Sequence, residues 1–360
     1  MWINSSNRHV RAHYLSDIVT ISHRPLLNLK LSRAHNLLGT NIPCNMDKRL
    51  LAVFIILLFF IPVLLNLKYN RPLDTKPPKE IACETEITVE GEDKPLPLEE
   101  YIIGVVASEM PVAYSLEALK AQAIAARTYA LKETAEGTKP IGRDVTAQVY
   151  SNEKERKERW GKNFKENEKK IRQAVEETAG SIIVHEEQMI TAMFFSTSNG
   201  KTETAENFTG NSVPYLQSVD SPDEQTVSEE VERTVDMPLT EWNKKLGTSW
   251  KEDDFRALQL VRNETGRVQS VLSGTFETSG REVREKLKLP STDFNIGFDV
   301  ANKIVHITTK GYGHGVGMSQ NGAEAYSKKG WTAEQIVKHY YTGTEIKTFE
   351  KSKEECLKNP

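Results

Sequence analysis

Tyr101-Ile-Ile-Gly-Val-Val-Ala-Ser-Glu109-Met-Pro111 carries a carboxylate at the end of an apolar stripe. Leu98, Ile102 and Val105 recur at helical spacing, and one further step of four lands on Glu109. Pro111 cannot continue a helix and biases Met110 toward extended dihedrals, so the helix is predicted to open near Leu98 and stop close to Glu109. At that position an acid faces either the core or solvent. If it faces the core, burial and the negative end of the helix dipole both disfavour its charged form and raise its pKa. A carboxyl kept protonated near neutral pH is what a general acid requires. If it faces solvent, it is an ordinary last-turn glutamate.

A second helix is predicted immediately after, with Ser115 as cap, Glu117 in its first turn and Ala118, Gln122, Ala125 and Tyr129 along one face. Its many alanines permit close backbone approach to the first helix. Gln122, Arg127 and Tyr129 are its polar-tipped members, readable either as edges of the packing face or as the lining of a cleft beside Glu109.

Over 360 residues the chain is 27% charged and 38% hydrophobic, which suits a globular body with a polar surface. A net charge of -3 gives no support for nucleic-acid binding. With 3 Cys, cysteine metal cages and dense disulfide scaffolds are excluded. Cys83 and Cys356 either pair or stay free thiols. Leu50 to Leu67 (LLAVFIILLFFIPVLLNL) is the one long apolar run, at roughly 18 residues just enough to span a bilayer. Lys48 and Arg49 before it favour a cytoplasmic N-terminus, and the absence of a small-x-small cleavage site favours an uncleaved anchor. Residues 1–45 are basic and acid-poor, and Met46-Asp-Lys-Arg49 reads as a natural start. The upstream residues are therefore read as a start-site artefact or a disordered cytoplasmic extension.

The expected organisation is 46–67 as n-region and anchor, 68–97 as a Pro- and charge-rich tether with an edge strand, 98–348 as the functional domain and 349–360 as a tail. Within the domain, Glu153 to Lys170 reads as a solvated helix or insertion, followed by a helix ending at Gly180. Ser181–His185 and Gln188–Phe195 read as a hairpin. It delivers the polar loop Ser196 to Glu203, in which Ser198 and Asn199 can meet sugar hydroxyls or simply make a turn. Tyr215–Val219, Leu258–Val261, Val268–Leu272 and Ile304–Thr308 read as strands, and Arg281–Leu287 as a short helix.

Gly311-Tyr-Gly-His-Gly-Val-Gly-Met-Ser-Gln-Asn-Gly-Ala323 is the second informative stretch. It lacks the Gly-Lys-Ser/Thr of a phosphate loop and the acidic partner of a dinucleotide fingerprint. Its glycines imply close backbone approach, with His314 held inside the loop and a small-residue helix from about Ser319. Thr332 and Gln335 form a capping box for a last helix ending near Gly343. His314 has no partner at metal-ligand spacing, so no metal is expected.

Leu98-Glu-Glu-Tyr-Ile-Ile-Gly-Val-Val-Ala-Ser-Glu-Met-Pro111 with Leu116-Glu-Ala-Leu-Lys-Ala-Gln-Ala-Ile-Ala-Ala-Arg-Thr-Tyr-Ala130 resembles the SpoIID (SpoIID/LytB) family of sporulation proteins, as do the Gly311–Ala323 stretch and His339-Tyr-Tyr-Thr-Gly-Thr344. The resemblance spans nearly the whole region after the anchor. It implies an α+β fold, with a helical catalytic segment packed on mixed or antiparallel sheets and one N-terminal transmembrane helix. It also implies a peptidoglycan lytic transglycosylase acting on peptide-stripped glycan strands, on the mother-cell side of the sporulation septum during engulfment. Its partners would be stage II sporulation protein P, an amidase, and stage II sporulation protein M, a membrane protein. Some relatives instead modify amidase activity. Some carry a cysteine-built zinc site; no cysteine lies between Cys83 and Cys356, so neither zinc nor any cofactor is carried over. The resemblance favours Glu109 as the catalytic acid, with Gln122, Arg127, Tyr129, Ser198, Asn199, His314, Ser319 and Gln320 as candidates for positioning the sugar.

Overall fold

The computed structural model describes residues 85–351. The readings of 1–45 and 46–67, most of the tether, the far end of the tail, and Cys83 and Cys356 lie outside the described residues. Among those described, no helix is long and apolar enough to cross a membrane.

Glu86–Ile87 (β1) pairs antiparallel with Leu96–Pro97 (β2). Ile87 and Val89 are buried in the main core, so residues 85–97, read from sequence as tether, pack with the body. Leu98–Glu109 (α1) then ends where Pro111 predicts, with Met110 extended at φ -123 and ψ 144. Leu116–Glu133 (α2) follows. It packs against α1, β3 and three of the helices named below, and is buried nearly all round rather than along one face. Its alanines are what let so many neighbours approach. Ser115 stands at its cap position, but its side chain does not cap the helix. The Ser115 hydroxyl donates instead to Glu324 Oε1 at 3.1 Å.

The charged run forms two helices, Glu153–Trp160 (α3) and Phe164–Glu176 (α4). It is less solvated than its composition indicates, because Arg156 and Glu168 form a buried pair, with Nη2 and Oε1 2.9 Å apart. Ser181–His185 (β3) and Gln188–Met189 (β4) make the expected hairpin through Glu186 and Glu187, whose φ values of 49 and 66 are the left-handed pair that a two-residue hairpin turn demands. The hairpin stops there. Phe194–Phe195 (β5) leaves it to pair in parallel with a later strand, and Ala205–Thr209 (α5) follows. Tyr215–Val219 is not a strand: Leu216 N–H donates to Val213 O in a turn, and the Thr202 hydroxyl takes the Val219 N–H.

Residues 232–310 build a second lobe around their own core of Trp242, Trp250, Val271, Phe294 and Ile307. Its elements are Glu232–Pro238 (β6), Leu239–Leu246 (α6), Glu252–Arg256 (α7), Gln259–Arg262 (β7), Val268–Ser273 (β8), Phe276–Ser279 (β9), Gly280–Leu287 (α8), Asp293–Asp299 (β10) and Ile304–Lys310 (β11). They form two antiparallel three-stranded sheets in the orders β10-β11-β6 and β7-β8-β9. The glycine loop then leads back to the main body through Met318–Ser319 (β12, the partner of β5), Gln320–Lys328 (α9), Ala333–Tyr340 (α10) and Glu345–Thr348 (β13). The last of these completes the sheet β13-β3-β4. The capping box of Thr332 and Gln335 is present at α10. The helices that join α1 around α2 are α4, α9 and α10. Apart from the short β5–β12 pair the named strands run antiparallel, so the α+β expectation for this region holds.

Gly104 on α1 has no space for a side chain: a Cβ there would lie 2.3 Å from the Tyr150 ring and 2.7 Å from Ser151 O. Tyr150 stacks on Tyr101 at 5.4 Å, and Ser151 N–H donates to Gly104 O at 3.3 Å, so residues 148–151 lie directly on α1. Gly104→Ala is expected to lower stability by about 3 kcal/mol through overpacking, read by urea denaturation. An unchanged midpoint would mean that this segment is loosely held.

Candidate active site

Glu109 closes α1 and is partly buried. Its Oε1 accepts the Val149 backbone N–H at 2.7 Å, and Gln320 Nε2 stands 3.5 Å from its Oε2. The second distance is at the outer edge of hydrogen bonding. Burial pushes the Glu109 pKa up, against the smaller lowering effects of the Val149 and Gln320 contacts. Of the two sequence readings, the core-facing acid is therefore the one the fold adopts.

The Val149 donor is a product of packing. Gln148 Nε2 donates to Ala126 O at 3.1 Å, and Gln148 Oε1 receives the Tyr101 hydroxyl at 3.4 Å. Arg156 Nη1 donates to Ser151 O at 2.7 Å. The loop is thus fixed to α1, α2 and α3 around the one N–H that meets Glu109. Tyr101 is itself buried, and burial together with nearby Tyr129 and Glu109 raises its pKa, so it stays a neutral hydroxyl.

Two amides stand at the acid. Gln320 Nε2 is 3.5 Å from Gln122 Oε1 as well as from Glu109, and Gln122 Nε2 is buried with no hydrogen-bond partner among the described residues. Such a group costs stability, and native proteins rarely keep one without a use. Just past Glu109, a groove runs between Val112 and Ala113 on one side and Glu166, Lys169, Lys170 and Gln173 of α4 on the other.

The fold thus brings Gln122 and Gln320 to Glu109, while half-buried Tyr129 lies near Tyr101. It does not bring the other sequence candidates there. Arg127 is fully buried and grips Glu99 with two bonds of 2.9 and 2.6 Å, while also donating to Ser181 O at 3.1 Å. Glu99 lies about 15 Å from Glu109 along α1 at 1.5 Å per residue. Ser198 donates its N–H at 2.8 Å and its hydroxyl at 2.6 Å to the buried Glu224. Asn199 Nδ2 holds Asp293 Oδ2 at 2.8 Å and Thr265 O at 3.0 Å, tying the second lobe on. Ser319 caps α9 by accepting the Gly322 N–H at 3.2 Å. His314 lies between the Phe195 and Phe208 rings, at 5.7 and 5.5 Å, and accepts the Val316 N–H on Nδ1 at 3.1 Å. Burial, helped by the Arg284 charge, pushes its pKa down to about 4, so it is neutral.

Sequence reasoning missed the Val149 donor, which has no side-chain signature, and the buried Glu224. Burial raises the Glu224 pKa against the bonds from Ser198, Ser221 and Ser319, and Ser221 in turn lies 2.6 Å from the Tyr340 hydroxyl. Among the described residues no group of three or more His, Cys, Asp or Glu is placed to hold a metal.

The family described as Stage II sporulation protein matches residues 91–185, which carry α1, α2 and Val149. Stage II sporulation protein D of Bacillus subtilis is 43% identical over 261 residues, covering 70% of this chain and 74% of that protein. This chain belongs to the SpoIID family. The Bacillus amyloliquefaciens protein of the same name is 42% identical over 259 residues, with 70% and 74% covered. The family likeness extends to a protein named Amidase enhancer from Bacillus subtilis, 31% identical over 299 residues, covering 68% of this chain and 40% of that one.

The raised pKa fixes how stability depends on pH. The folded Glu109 carboxyl holds its proton more tightly than the unfolded chain does, so its contribution is complete below the unfolded value and is lost as pH rises through the folded one. Glu109→Gln mimics the protonated form and removes this loss. Relative to wild type, the variant is expected to gain stability as pH rises from acid to mildly alkaline, measured by urea denaturation. A gain toward acid pH would contradict the assignment.

Proposed function

We propose that this SpoIID family member is a peptidoglycan lytic transglycosylase with Glu109 as its single acid and base. The observation that carries this reading is the company Glu109 keeps: a backbone N–H, a long amide contact and burial, with no carboxylate bonded beside it among the described residues. A hydrolase of the usual kind needs two carboxylates across the scissile bond. A transglycosylase needs one group used twice. Protonated Glu109 gives its proton to the glycosidic oxygen as the bond to muramic acid C1 breaks. The resulting carboxylate takes the proton of the C6 hydroxyl of the same sugar as that oxygen closes on C1. The product is a 1,6-anhydro ring, no water is consumed, and Glu109 ends protonated. Val149 N–H and Gln320 stabilise the carboxylate formed between the two steps, and the unpaired Gln122 amide is available to a sugar oxygen.

The names of the relatives support a role in sporulation. With the apolar run 50–67 as an anchor, the domain would face outward from the cell membrane toward septal wall, beside stage II sporulation proteins P and M. A second reading is favoured by the relative named Amidase enhancer: the chain binds glycan and stimulates an amidase without cutting.

The full-length protein and its Glu109→Gln variant should be incubated with peptide-free glycan strands and the products analysed by mass spectrometry. Anhydro-ended fragments are expected from wild type only, with a rate that falls as pH rises through the raised Glu109 pKa. Reducing-end fragments would mean hydrolysis, and strand binding without cutting by either protein would favour the enhancer reading.

A further inference from the structure

Helix α8 of the second lobe abuts the glycine loop. Arg281 on α8 donates to Phe208 O at 3.0 Å and lies 4.5 Å from the centre of the Phe208 ring, which itself packs on His314. Arg284 stands one turn further along the same face. Its charge acts on His314 and on Tyr312, so its guanidinium lies beside the loop. The loop is tied to the same region, because Gly313 N–H donates to Pro290 O at 3.0 Å.

Arg284 differs from its neighbours in having no bonded partner among the described residues. Among the described residues its Nε is buried without a hydrogen-bond partner and no carboxylate is bonded to it. Glu285, the acid whose charge acts on Arg284, binds Arg281 at 2.8 Å, and Arg233 is bound by Glu230 at 2.5 Å. Buried Arg267 is satisfied by Thr265 Oγ1 at 3.1 Å and Lys201 O at 3.0 Å. Burial pushes the Arg284 pKa down, against the opposing charge of Glu285, so holding this cation carries a desolvation cost. Beside it Tyr312 is 36% exposed, unusually open for an aromatic in a tightly packed loop, and Arg233 stands 4.8 Å from its ring centre. An unpaired fork-shaped cation next to an exposed aromatic ring fits a ligand that combines a carboxylate with a sugar ring.

We propose that Arg284 and Tyr312 form a subsite for an anionic sugar of the glycan strand, in which the Arg284 guanidinium takes the lactyl carboxylate of a muramic acid residue. This rests on the glycan reading above but uses none of the groups that touch Glu109. In a peptide-bearing strand that carboxyl is an amide and carries no charge. The subsite therefore distinguishes stripped from unstripped sugars by charge, away from the cutting residue.

The test is calorimetric titration of the full-length Glu109→Gln protein, which cannot turn substrate over, with a muramic-acid-containing tetrasaccharide and with the same compound after reduction of its lactyl carboxyls to alcohols. The native tetrasaccharide is expected to bind about tenfold tighter, the scale of one charge-assisted hydrogen bond. Adding Arg284→Gln should lower its affinity to that of the reduced compound, and Arg284→Lys should keep part of the difference. Equal affinities in the parent, or a difference that survives Arg284→Gln, would overturn the proposal. Thermal melting supplies the control. A guanidinium without bonded partners can be removed without lowering the melting temperature, so a large drop in Arg284→Gln would make the residue structural and also overturn it. Cutting is read separately with Glu109 intact: a protein that prefers the carboxylate but leaves strands whole counts against the transglycosylase alone.

Discussion

The burial of α2 on nearly every side is the constraint on which the rest of this structure depends. A helix enclosed by α1, α4, α9, α10 and β3 needs small side chains at the contacts, and Ala118, Ala121, Ala123, Ala125 and Ala126 supply them. Because the approaches are close, the ends of the surrounding helices are fixed relative to one another. Glu109 at the last turn of α1, Gln122 in the middle of α2 and Gln320 at the first turn of α9 meet as a result. Arg127 serves the same end from the opposite direction. It binds the first turn of α1, the end of α4 and the start of β3 at once, which holds α1 in register over α2.

The raised pKa of Glu109 follows from this packing and from the loop it traps. Gly104 admits Tyr150 against α1, and Tyr150 carries the neighbouring Val149 N–H to the carboxyl. The Val149 N–H and the Gln320 amide oppose burial without overcoming it, and the Glu109 pKa stays raised. More donors would have lowered the pKa into the ordinary range and removed the acid. Glu224 shows a different use of a buried carboxyl. It gathers Ser198 and Ser221, and through Ser221 it reaches Tyr340, as an internal joint between the polar loop and α10.

Much of this was legible where the signals are local. Pro111 ended α1, the Thr332 and Gln335 pair opened α10, and the apolar stripe pointed at Glu109. What was not legible is long-range. Gln320 is 211 residues from Glu109, and it was identified only as a polar residue in a distinctive stretch. Arg127, Ser198 and Asn199 looked the same to sequence reasoning as Gln122 did, because a polar side chain in a small-residue motif serves substrate or scaffold equally well. Burial and bonded partners separate them, and these depend on the fold. Part of the second lobe escaped for another reason. Strand β6, Glu-Arg-Thr-Val-Asp-Met-Pro, buries Met237 alone, so it shows no alternation that a strand reading could use.

The central claim is that burial keeps Glu109 protonated beyond the ordinary carboxylate range. Its most direct test is a carbon-13 NMR titration of the glutamate side-chain carboxyls in the folded protein, with the Glu109 signal assigned by its absence in Glu109→Gln. The account predicts a midpoint above the ordinary glutamate value of about 4.3. A midpoint at or below that value would leave the residue an ordinary carboxylate and remove the acid from the site.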